Sequence, residues 1–189
     1  MNEIKIGFNF GSVYVRDMPL ARVGDALREL MAESDRLPCF ERGIEPTPNT
    51  CTCAKLVRSF ALLPQENGWI AVLEDGHALD DGGVAEGLSD LLLAEALHLS
   101  YSDEAGGWGY ERYCEGQPLE SGGSHDADFD VSAFEFVAAQ GLPHFGVYYE
   151  EVAAAAAADA PSLAGSLHLA GDIHPRLPIG TEILTFRAT

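Results

Sequence analysis

The chain is short of positive charge: eleven lysines and arginines stand against thirty aspartates and glutamates in 189 residues, for a formal net charge of −19. Such a chain repels phosphate backbones and anionic lipid, so neither nucleic acid nor a membrane is expected as a partner. Cysteine is scarce as well. Cys39, Cys51, Cys53 and Cys114 are too few for a disulfide scaffold in a chain of this size, and reduced thiols are expected. No apolar run approaches the roughly 20 residues that span a bilayer. The nearest, 88–99, is interrupted by Ser89, Asp90, Glu95 and His98. The opening Met1-Asn2-Glu3-Ile4-Lys5-Ile6 lacks the basic start, apolar core and small-residue cleavage site of a secretion signal, and a cytoplasmic location is expected.

What is present suffices for folding. Apolar residues make up 47% of the chain, enough to offset chain entropy, and the length suits one large core or a core with a small appendage. Ile4, Ile6, Phe8 and Phe10 alternate as on a half-buried strand. At Gly11-Ser12 the apolar parity passes to Val13 and Val15, which predicts a bulge or bend before the strand ends near Arg16. Asp17 as N-cap, Pro19 in the first turn and Leu20, Val23, Leu27, Leu30 and Met31 at helical spacing predict a helix over 18–33. Pro38, Gly43, Pro46 and Pro48 then mark a long loop over 34–50.

Strand-like runs at 55–63 and 69–73 flank Asn67-Gly68, a strong hairpin signal. Asp80 or Asp81 caps a second helix carrying Val84, Leu88, Leu91 and Leu92, after which Leu97, Leu99 and Tyr101 alternate as a strand. The resulting β-α-β-β-α-β order predicts an α+β fold: a ferredoxin-like sandwich over 1–120 with both helices on one face of an antiparallel sheet. A hairpin from Trp108 to Cys114 with its turn at Glu115-Gly116 extends that sheet.

Residues 121–189 are expected to form a C-terminal α/β extension packed on this core. Gly122-Gly123-Ser124-His125-Asp126 reads as a turn-rich junction before a third helix, capped by Asp128 or Asp130 and bearing Val131, Phe134 and Val137. Beyond Gly141 and Pro143 come a short strand over 145–149, an alanine-rich helix over 151–160, and strands at 166–170 and 182–187.

Few motifs carry chemistry. Glu74, Asp75, His77, Asp80 and Asp81 gather at a strand-to-helix junction; Asp75, His77, Asp80 and Asp81 are the candidate ligands for a divalent cation or groups for acid–base work. Capping and the helix dipole account for the same acids without a metal. Cys51-Thr52-Cys53 lacks the spacing and second pair of a zinc site. Asp126-Ala127-Asp128-Phe129-Asp130 imitates a calcium loop but continues with Val131 where glycine belongs and Val137 where a bidentate glutamate belongs. His125 and His174 have no nucleophile in a recognisable context, and Gly106-Gly107-Trp108-Gly109-Tyr110 lacks a phosphate-loop lysine. No cofactor is expected.

Aromatics are the alternative. Trp108, Tyr110 and Tyr149 are the candidate anchors of a partner-binding surface, since aromatic side chains supply much contact area at low entropy cost. The segment from Val84-Ala85-Glu86-Gly87-Leu88-Ser89 through Ser100-Tyr101-Ser102-Asp103, with the aromatic strand and Glu115-Gly116 turn that follow, resembles a pattern in uncharacterised bacterial α+β proteins, some of them suspected regulators or toxin-immunity proteins. The resemblance spans about 69–119 and carries over no catalytic residue. The two readings are therefore an acidic interaction module, immunity-like or regulatory, for a basic partner protein, and a small-molecule or metal-dependent enzyme with its site at 74–81.

Overall fold

The computed structural model describes residues 9–34, 36–38, 57–74, 81–102, 105–143 and 178–188. Its strands are β1 (Asn9–Arg16), β2 (Arg36–Pro38), β3 (Val57–Leu62), β4 (Trp69–Glu74), β5 (Glu95–Ser102), β6 (Gly107–Cys114), β7 (Gln117–Ser124) and β8 (Glu182–Ala188). The helices are α1 (Leu20–Glu33), α2 (Asp81–Leu92) and α3 (Phe129–Gln140). The fold is mixed α+β, with one open sheet in the order β2-β8-β3-β4-β1-β5-β6-β7 and every pairing antiparallel. β7 runs across residue 120, and β8 lies inside the sheet between β2 and β3.

Both faces of the sheet are covered, and this explains the sequence of β1. Val13 and Val15 point to one side, where they pack with Val23, Leu27 and Met31 of α1 and Val84, Leu88 and Leu92 of α2. Tyr14 points to the other, among Trp69, Leu97, Leu99, Tyr101 and Trp108, beneath Ala133 and Val137 of α3. The expected bulge at Gly11-Ser12 is absent: β1 pairs with β5 without a break from Asn9↔Ser102 to Val15↔Ala96. A change of apolar parity signals a bulge only when one face meets water. Here both faces are dry, so either parity can be apolar.

The turns follow their residues closely. Asn67 and Gly68 have φ of 52° and 83°, and Glu115 and Gly116 have 51° and 71°, as two-residue hairpin loops of matching twist require. Asp17 does not cap α1. It sits at φ 52°, where its backbone N–H donates to the Gly68 carbonyl at 2.7 Å, and Pro19 holds the N-cap position. On the far side of α1, Arg28 Nη2 donates to Glu182 Oε1 at 2.7 Å, tying the helix to β8.

The third helix buries one of the three apolar residues its spacing turns inward, Val137, and leaves the other two outside. Val131 and Phe134 are 58% and 38% exposed, while Ala133 and Val137 are buried, with Phe129 and Phe136 packed beside them. The sheet beneath α3 presents the flat rings of Trp108 and Tyr110, and a close approach needs a small residue at the centre of the contact, which Ala133 supplies. Asp128 occupies the N-cap position without a side-chain capping bond. Gly141, at φ 67°, closes the helix with bonds from its own N–H to the Ala138 carbonyl and from the Leu142 N–H to the Val137 carbonyl.

Candidate functional site

The β6–β7 hairpin packs closely on itself and on α3. Strand β7 continues through Gly122, Gly123 and Ser124, where the composition suggests a loop. The glycines are packing requirements. A Cβ at Gly122 would lie 2.8 Å from the Tyr110 ring, and one at Gly123 would lie 2.2 Å from the Trp108 carbonyl oxygen and 2.8 Å from the Gly109 Cα. The same economy holds at Gly107, where a Cβ would fall 2.1 Å from Nδ1 of His125, so His125 is packed against bare backbone.

Trp108 and Tyr110 lie side by side on the α3 face of β6. Trp108 is only 8% exposed; its ring centroid is 6.0 Å from that of Tyr110 and 5.0 Å from that of Phe136, and its indole N–H donates to Ser132 Oγ at 2.8 Å. Tyr110 is half-buried and stacks on Phe136 at 4.3 Å. Of the three aromatic anchors expected from the sequence, Trp108 is thus core, Tyr110 borders the surface, and Tyr149 lies outside the described residues. Asp75, His77 and Asp80 also lie outside them, and Asp81 is the first residue of α2. Among the described residues, no group of three or more His, Cys, Asp or Glu side chains is placed to hold a metal ion.

An ion-pair network crosses the same face, built from residues far apart in the chain. Arg112 Nη1 is 3.3 Å from Glu95 Oε1, its Nε is 3.3 Å from Glu120 Oε1, and its Nη2 donates to Gln140 Oε1 at 2.6 Å. Glu95 also accepts from Arg16 Nη1 at 3.1 Å, and the Arg16 guanidinium lies 5.3 Å from the centre of the Trp69 ring. Trp69 in turn donates its indole N–H to the Gln140 carbonyl at 3.1 Å, so this network and the C-terminal end of α3 are held together. A lone arginine in an acidic stretch was the only sequence signal for it.

Charge here is one-sided. From Ala105 to Pro143 the only basic side chain besides His125 is Arg112, 17% exposed and committed to Glu95, Glu120 and Gln140. Glu111, Glu115, Glu120, Asp126, Asp128, Asp130 and Glu135 of the same stretch are all exposed. Exposed Leu119 stands among them on β7. Two tyrosines titrate abnormally. Burial pushes the Tyr14 phenol up to about 12, outweighing the opposing influence of the Ser12 hydroxyl, and among the described residues neither hydroxyl has a hydrogen-bond partner of normal geometry. Tyr113 is raised by burial and by the nearby Glu111 and Glu86 carboxylates.

Comparison with protein-family models, with curated proteins and with solved structures finds no match to this chain. Among the described residues no helix is long and apolar enough to cross a membrane.

Proposed function

We propose that the chain is an acidic interaction module, immunity-like or regulatory, that binds a basic partner protein in the cytoplasm. One observation carries this reading: of seven exposed carboxylates between Ala105 and Pro143 only Glu120 is paired with the single arginine of that stretch, which Glu95 also holds inside the fold. A field of one sign, adjoining exposed Leu119 and the rim of Tyr110, steers an oppositely charged protein toward a surface with some apolar contact to offer. We further read the core as ferredoxin-like. The order β3-β4-β1-β5, with α1 and α2 sharing one hydrophobic cluster, supports that reading.

The test is kinetic. A partner recovered from the native cell is expected to associate with a rate that falls steeply with ionic strength, and to associate more slowly with the triple variant Glu111→Gln, Glu115→Gln, Asp126→Asn. A rate indifferent both to salt and to these three substitutions would refute the proposal.

A further inference from the structure

We infer that the outer edge of β7, from Glu120 to Ser124, takes up an extended basic segment of the partner protein as an added strand. The inference rests on the reading of the chain as a module for a basic partner. β7 ends the sheet, and among the described residues only β6 hydrogen-bonds to the backbone of Gln117–Gly123. Every residue from Gln117 to Gly123 is exposed. A row of unused N–H and C=O groups is a template for another chain, and natural proteins guard such rows with proline, charge or bulges.

The guards on β7 protect only its first half. Pro118 has no N–H to offer, and the register between β6 and β7 slips at Arg112/Tyr113, opposite Leu119. From Arg112↔Glu120 to Trp108↔Ser124 the pairing is regular, with no proline and one charge. Gly122 and Gly123 leave the backbone bare there for reasons internal to the hairpin, because their inner surroundings admit no Cβ.

Charge selects the occupant. A second copy of the chain would set −19 against −19, which opposes edge-to-edge self-pairing. A segment alternating basic and apolar residues meets no such barrier. Glu120 stands on the α3 face beside Arg112, Glu111 stands on the opposite face across from Ser121, and Asp126 follows the strand's end, so carboxylates flank the edge on both faces.

Hydrogen exchange of the full chain, read by mass spectrometry, tests this with three capped peptides of equal length: alternating Lys/Val, alternating Lys/Pro and alternating Glu/Val. The Lys/Val peptide, at about ten times its Kd, is expected to slow the outward amides of Glu120–Ser124 roughly tenfold. Lys/Pro has the same charge but is held by its prolines in a three-fold polyproline II helix, whose lysine N–H groups do not line up along one edge, and should leave them unchanged; Glu/Val should not bind. Successive N–H groups point to opposite edges, so one of Ser121→Pro and Ser124→Pro, neither at a glycine, removes an outward donor. That variant should keep the native circular dichroism and lose the protection. Protection by Lys/Val confined to other segments, or equal binding of Lys/Val and Lys/Pro, overturns the edge while leaving the basic-partner reading intact. Binding of neither basic peptide at low salt overturns that reading along with it. A salt-promoted dimer protecting the same amides assigns the edge to a second copy and overturns the inference.

Discussion

Trp108 separates a core role from a binding role by stability alone. Truncating it to alanine removes a ring that is 8% exposed, two stacking partners and the indole bond to Ser132. Large aromatic-to-alanine changes in cores cost about 3–5 kcal/mol, and the two ring contacts and the hydrogen bond place this one near the middle, at about 4 kcal/mol. For a chain of this length that is a fall in Tm of roughly 8–16 °C. Urea unfolding followed by far-ultraviolet circular dichroism measures it without relying on the lost fluorophore. Trp108→Phe and Ser132→Ala, alone and together, isolate the hydrogen bond, with an expected coupling of about 1 kcal/mol. A loss below about 1 kcal/mol for Trp108→Ala would show that the indole does not sit beneath α3. Zero coupling in the cycle would show that the Ser132 bond does not form.

Three further outcomes concern single positions in turns, strand and core. Leu93, at φ 51° and 70% exposed just beyond α2, holds a backbone conformation suited to glycine, so Leu93→Gly should stabilise by about 0.5–1 kcal/mol in urea; destabilisation would contradict the left-handed geometry. Gly123→Ala should cost about 2–4 kcal/mol, because its φ of 156° is strained for alanine and its Cβ also meets strand backbone that cannot yield, whereas Gly106→Ala, at φ 64° with nothing within 4 Å, should cost only the roughly 1 kcal/mol of its positive φ; equal losses would remove the packing argument. Tyr14 has a folded pKa raised above its unfolded value, so its contribution is complete below about pH 10 and lost as pH climbs toward 12, on the order of 2–3 kcal/mol in all. Tyr14→Phe should remove one proton from that alkaline slope while leaving stability near pH 7 equal or higher, since the hydroxyl lacks a good partner; an unchanged slope would place the phenol in water.

Local signals were legible and lateral ones were not. Asn67-Gly68 and Glu115-Gly116 specify their turns through positive φ, and Leu97, Leu99 and Tyr101 share one face of β5 as their spacing says. The apolar shift at Gly11-Ser12 misleads because parity carries information only when one side of a strand is wet, and the covering of the second face by α3 is a long-range fact. Gly122-Gly123 looks like a loop because the reason for both glycines, Tyr110 and the β6 backbone, lies on a neighbouring strand. Of the candidate site, the excess of acids was plain from composition. Its focus around β7 was not, because that depends on Arg112 being drawn inward by Glu95, Glu120 and Gln140.

The place of β8 has a consequence in time. Residues 182–188 pair with β2 on one side and with β3 on the other, so Val57–Leu62 lacks one of its two neighbours until the chain has been extended past Ala188. At about 5–20 residues per second, a nascent β3 keeps that side open for on the order of ten seconds. A partner or chaperone that meets the chain during synthesis therefore encounters two available sheet edges, β3 and β7, and completion of β8 leaves β7 as the long one.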